Sequence, residues 1–158
     1  MPIRSMLLSI LAASVMFPAA VLAANTDPRV GTWIERKGSP SYQGLRRSFE
    51  ALANGLIRVN IALDAQGRAG SFAELTCDGQ PYPVQGQDPT GRLTLACRAV
   101  DVRTTDFSFH RDATAGWTTS AGREQVSADG QVMTVSAVQS DAKGAVTARI
   151  ERVFDRRR

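Results

Sequence analysis

The chain of 158 residues is short of nearly every feature that announces a chemistry. It has two cysteines, Cys77 and Cys97, and a single histidine, His110. A closed zinc site needs four ligands in paired spacing, so no metal is expected. Aromatics make up 6% of the residues, and only nine lie beyond residue 24. Two aromatic girdles of an outer-membrane barrel need more than that, and the chain ends Asp155-Arg156-Arg157-Arg158 rather than on an aromatic. Basic residues outnumber acidic ones, 19 to 15, but three of the excess are Arg156, Arg157 and Arg158. A basic tail is not a basic face, so no nucleic-acid partner is expected. Glycine-rich phosphate loops are absent: Gly67 and Gly70 are turn glycines with no helix after them. Charge blocks and low-complexity tracts are missing as well, which excludes a disordered chain, and the length suits one domain.

What is present begins with an export signal. Arg4 precedes an apolar run from Met6 to Phe17, followed by Pro18 and the small-residue stretch 19–24. Residues 1–23 are expected to be a signal peptide, cleaved after Ala23 or Ala24, because the run is short for a membrane span and polar Asn25, Thr26 and Asp27 follow it. No cysteine stands at the cleavage region to carry a lipid anchor, and no second apolar stretch reaches membrane length, so no transmembrane segment remains after cleavage. Cleavage removes Arg4 and lowers the formal charge from +4 to +3. The expected location is the periplasm or outside the cell, where an even, low cysteine count predicts a Cys77–Cys97 disulfide. Closing a loop of about twenty residues is worth roughly 3 kcal/mol in the chain-entropy model.

From Val30 onward, apolar and polar residues alternate in short segments between turn signals. Ile57, Val59, Ile61 and Leu63 share one face, with Arg58 and Asn60 on the other. Asn54-Gly55 joins that segment to residues 48–52 as a hairpin. Asp64 to Gly67, Asp78-Gly79, Asp112 to Gly116, Asp129-Gly130 and Asp141 to Gly144 mark further turns. Leu93, Leu95 and Cys97 fall in phase, as do Phe107 with Phe109, and Ile150, Arg152 and Phe154. The fold class is therefore all-β: an antiparallel up-and-down meander of eight to ten strands. Closure into a barrel removes its exposed edges, and a β-sandwich is the structural alternative.

Three motifs carry a family resemblance. Val30-Gly31-Thr32-Trp33 opens the domain, Asp78-Gly79-Gln80-Pro81-Tyr82-Pro83-Val84 lies in its middle, and Val153-Phe154-Asp155-Arg156 closes it. Together, over residues 27–156, they resemble the calycins, the superfamily of lipocalins and fatty-acid-binding proteins, and within it a set of small, mostly uncharacterised bacterial exported proteins. The resemblance implies a single lipocalin-like barrel in which Gly31 and Trp33 form the bottom and Arg152, matched to the superfamily's closing arginine, packs over the indole. Such a cation contributes about 0.5 to 2 kcal/mol. The chain departs from the fatty-acid-binding pattern at Phe154, where a tyrosine two residues after the arginine shares in holding a carboxylate.

No catalytic set emerges. His110 is out of phase with Phe107 and Phe109 and faces solvent, and neither Asp106 nor Asp112 stands in a triad spacing with it, so neither enzymatic activity nor a cofactor is expected. The leading expectation is a small hydrophobic ligand in the barrel, lined by Phe49, Ile57, Val59, Ile61, Leu93, Leu95, Phe107, Phe109, Ile150 and Phe154. A packed core would use the same residues. The alternative is a protein partner, as for an inhibitor of a lysozyme or protease, held by the loops Pro40 to Gly44 and Gln85 to Arg92, with Tyr42 as an anchor.

Overall fold

A chain whose side chains alternate with period two buries one face of each strand, and turn chemistry decides where the strands reverse. The computed structural model describes residues 27–64, 66–86, 92–112 and 116–157; the expected signal segment and residues 87–91 of the second loop lie outside them. The described chain forms β1 (Gly31–Glu35), β2 (Arg46–Ala51), β3 (Ile57–Leu63), β4 (Ala69–Leu75), β5 (Asp78–Pro83), β6 (Gln85–Gly86), β7 (Leu93–Ala99), β8 (Thr104–Arg111), β9 (Thr119–Val126), β10 (Val132–Ser140) and β11 (Val146–Arg156). The fold is all-β, an antiparallel meander curled into a nearly closed barrel. Its strand order is β5-β7-β8-β9-β10-β11-β1-β2-β3-β4-β6, and β11 returns to pair with β1, Trp33 opposite Arg156.

The turns repeat one device. Asp64, Asp129 and Asp141 each accept a hydrogen bond on Oδ1 from the backbone N–H two residues on, which rounds the corner without a second strand's help. Asn54 does the same for Leu56 in the β2–β3 hairpin. One turn sits earlier than its sequence signal. The chain reverses at Thr76 and Cys77, and Asp78-Gly79 already belongs to β5, because Ala99 N–H bonds the Cys77 carbonyl and Asp78 lies opposite Arg98 on β7.

Eleven strands exceed the expected eight to ten because one run is divided at Val84. Its first part, β5, pairs with β7, whereas its last two residues, β6, pair with Ser71 and Phe72 of β4. One stretch of chain thus passes from one neighbour to the other, and the barrel closes at that crossing. Val84 N–H donates to Leu93 O at 2.9 Å, so by alternation Tyr82 turns its N–H toward β7, and Pro81 and Pro83 face the open side, where a proline leaves no donor unpaired. At the crossing Gly86 has φ +112°, and a Cβ there would lie 2.3 Å from Gly70 O. Below it the Cys77–Cys97 disulfide ties the β4–β5 corner to β7.

Trp33, Phe49, Phe154, Leu75, Met133 and Val126 are fully buried and make the core. Trp33 donates its Nε1–H to Arg29 O at 2.7 Å. The cation over its ring is Arg156, 4.3 Å from the ring centre, and this corrects the expectation for Arg152. The β1–β11 register sets Arg156 opposite Trp33, and Arg152 lies four residues, roughly 13 Å, further along the strand. Arg156 also donates from Nε to Gly130 O, from Nη1 to Val30 O and from Nη2 to Pro28 O. Gly31 leaves room for it, since a Cβ at that position would meet Arg156 Nη1 at 2.7 Å. One guanidinium therefore fastens the N-terminal segment, the β9–β10 turn and the last strand into a sealed floor.

Candidate ligand-binding cavity

Above the floor the barrel interior changes character, and the cause is a row of charges that the alternation itself turns inward. Arg47 shares a face with Phe49 on β2, and Glu124 shares one with Val126 on β9. Arg47 Nη1 lies 2.7 Å from Glu124 Oε1, and Arg29 Nη1 lies 3.5 Å from Glu124 Oε2. Arg29 in turn holds both oxygens of Asp27, at 3.0 and 2.7 Å, and donates to Cys77 Sγ. Both guanidiniums stand 5.3 Å from the centre of the Phe49 ring. Burial alone would raise the Asp27 carboxyl, but the hydrogen bonds and charge of Arg29 outweigh it and hold the group below its ordinary value. Burial likewise opposes the charge on Arg29, while Asp27 and Glu124 raise it.

Over this row lies a cavity of about 200 Å³. Leu45, Ile61, Leu93, Phe107, Phe109, Trp117, Val135, Ala137, Ile150 and Phe154 give it apolar walls, and Arg47, Ser120, Gln139 and Arg152 add polar groups. Phe107 and Phe109 meet edge to face at 5.9 Å. Phe154 at its base is buried, but Leu45, Ile61, Leu93, Phe109, Trp117 and Ile150 are each half-buried, so the space opens at the end of the barrel opposite Trp33.

The rim is built by the β1–β2 loop. Glu35, its side chain fully buried, accepts hydrogen bonds on Oε2 from Gln43 N–H and Leu45 N–H, both 2.9 Å, and its Oε1 faces Arg152 Nε at 3.2 Å. Arg152 donates from Nε to Ser41 O and from Nη2 to Gln43 Oε1. Ser39 and Ser41 hydroxyls accept from Val153 N–H and Glu151 N–H. The loop is thus moored along β11, with Tyr42 left exposed at its tip. Burial pulls the Arg152 guanidinium below its ordinary value; Glu35 acts against that, whereas the like charge of Arg47 adds to the lowering.

Of the ten lining residues expected from the sequence, Ile61, Leu93, Phe107, Phe109, Ile150 and Phe154 line this cavity. Phe49, Val59 and Leu95 lie beneath it, around a void of about 10 Å³ beside Arg29 and Glu124, and Ile57 belongs to the buried core. Arg152, expected as the structural partner of Trp33 with ligand contact left open, lines the cavity. Sequence reasoning missed Val135 and Ala137, which alternate inward with Met133, and Arg47, whose phase with Phe49 was the available signal. Nothing in the pattern singled out Leu45 or Trp117. His110 is exposed, and the described residues contain no group of three or more His, Cys, Asp or Glu side chains placed to hold a metal. No helix among the described residues is long and apolar enough to cross a membrane. The disulfide is consistent with an oxidising, exported location. Compared with known proteins, the chain matches no family model, no curated protein and no solved structure.

Proposed function

We propose that the protein is an exported, non-catalytic carrier that takes a small hydrophobic molecule into the open end of its barrel, in the manner of a calycin. The observation that carries this reading is the contrast within one interior: a sealed floor below, and above it an apolar cavity of about 200 Å³ that opens to solvent. An apolar cavity of about 150 Å³ holds a benzene molecule, and drug-sized sites run from about 300 Å³ upward. The ligand is accordingly of the size of one ring or a short chain. A long fatty acid does not fit within it. The calycin kinship is supported by the closed meander and by the arginine over a buried tryptophan that joins the first strand to the last.

Native mass spectrometry of protein purified from its own compartment, run beside a denaturing extraction, tests the reading. The expected result is a reproducible extra mass that is lost on denaturation; a bare protein mass counts against a carrier. Protein binding through the β1–β2 loop is the second reading, favoured by one observation: Tyr42 stands 45% exposed on a loop already moored by Ser39, Ser41 and Gln43.

A further inference from the structure

The two arginines that line the cavity are already neutralised from behind. Arg47 has Glu124, only 3% exposed, at 2.7 Å, and Arg152 has Glu35, wholly buried, at 3.2 Å. Neither glutamate belongs to the cavity wall. Glu124 is shared with Arg29, which has its own carboxylate in Asp27. Three guanidiniums therefore meet three carboxylates, and the two arginines of the cavity wall are matched before any ligand enters; Arg111, stacked 4.3 Å from the Trp117 ring at the mouth, and Arg156 at the floor lie outside that wall.

We propose, resting on the carrier reading, that the cavity selects an uncharged ligand bearing a hydrogen-bond acceptor, such as a ketone, ester or amide carbonyl, over a carboxylate of the same size. A ligand carboxylate would find both arginines of the wall already matched, and taking an uncompensated ion out of water is costly. A carbonyl asks only for a donor. Each guanidinium carries five N–H groups. Arg152 engages Glu35, Ser41 O and Gln43 Oε1 through Nε and Nη2, so the N–H groups of Nη1 take no part in those contacts, and the residue lines the cavity. Ser120 and Gln139, opposite each other on the neighbouring strands β9 and β10, add a hydroxyl and an amide. A pure hydrocarbon would cover these donors without satisfying them, at the cost that attends any buried unpaired polar group. The apolar walls suit the rest of the molecule, and Phe107 and Phe109 suit a ring.

The test is a calorimetric comparison, at neutral pH, of three probes of one ring each: acetophenone, benzoate and ethylbenzene. Acetophenone is expected to bind at least about tenfold more tightly than benzoate and more tightly than ethylbenzene. Glu35→Gln keeps an amide oxygen for Gln43 and Leu45 N–H while uncovering the charge of Arg152. It is expected to raise benzoate affinity about tenfold and to leave acetophenone within about threefold. The double variant Glu35→Gln, Arg152→Met removes the pair together, and its expected effect is weaker acetophenone binding with benzoate still poor. Benzoate binding to the unaltered protein as tightly as acetophenone would overturn the selectivity and leave the carrier standing. If all three probes fail and the protein also carries no extra mass, the carrier reading falls and this one with it. If a copurified molecule is found, its own charge decides: a neutral ligand upholds the proposal and an acid sinks it.

Discussion

The two ends of this barrel are made from the same strands and treat the same residue type in opposite ways. At the floor Arg156 spends its donors on the carbonyls of Gly130, Val30 and Pro28 and covers a fully buried Trp33. At the mouth, on the same strand and the same face, Arg152 stands half-buried beside Glu35 and a loop. The difference is what crosses the barrel axis. Residues 27–30 fold beneath β1 and close the floor, with Arg29 reaching Glu124. At the other end the loop after β1 is tied sideways to β11, and none of the described residues crosses the interior there. An alternating strand supplies an inward face along its whole length, and only what lies across the end decides whether that face becomes core or cavity.

The sharpest break of this comparison is to truncate one aromatic at each end. Trp33→Ala is expected to cost about 3 to 5 kcal/mol of stability in urea unfolding, as removal of a fully buried ring does. Phe109→Ala at the half-open end should cost less than half of that yet weaken ligand binding. Equal costs would mean that the mouth is packed core. Next in size, replacing both Cys77 and Cys97 by Ser should lower stability by about 3 kcal/mol, by freeing the loop that the bridge closes. Gly86→Ala is expected to cost about 1 to 3 kcal/mol, since its Cβ must displace backbone at the crossing. Its hydrogen-exchange signature should appear first in β4 and β6 and leave the floor protected.

Acid gives the smallest effect. The folded Asp27 carboxyl sits below its ordinary value because Arg29 overcomes the effect of burial, so the unfolded chain takes up its proton first as pH falls. The stability it contributes is therefore complete above about pH 4 and is lost as pH drops through the lower folded value. Denaturation midpoints followed from pH 6 to pH 3 should decline less steeply for Asp27→Asn than for the unaltered protein. Parallel curves would remove Asp27 from the account of the floor.

Much of the fold was legible, because period two and Asp-Gly or Asn-Gly turns are local signals. The strands, the inward set Ile150, Arg152 and Phe154, and the cysteine pairing all follow from residues that are near neighbours or share a phase. Register was not legible. Arg152 and Arg156 lie on one face, and alternation cannot say which of them meets Trp33; that is fixed by how β11 slides against β1. Nor could the pattern distinguish Leu95, packed over the floor, from Leu93, two residues earlier and at the cavity wall. The Arg47–Glu124 pair was hidden for a related reason: each charge is visible as an oddity on an apolar face, but its partner comes from a distant strand.

The meeting of β1 with β11 also has a consequence in time. Arg156 reaches Val30 across 126 positions of sequence, so no nascent fragment lacking the last strand can seal the floor. Contacts so far apart place folding in the slow regime, with a long interval in which strands wait unpaired. During that interval an extended chain can be threaded through a narrow pore, and it can equally meet another copy of itself edge to edge. The clasp that makes the finished barrel secure sets the length of both the opportunity and the hazard.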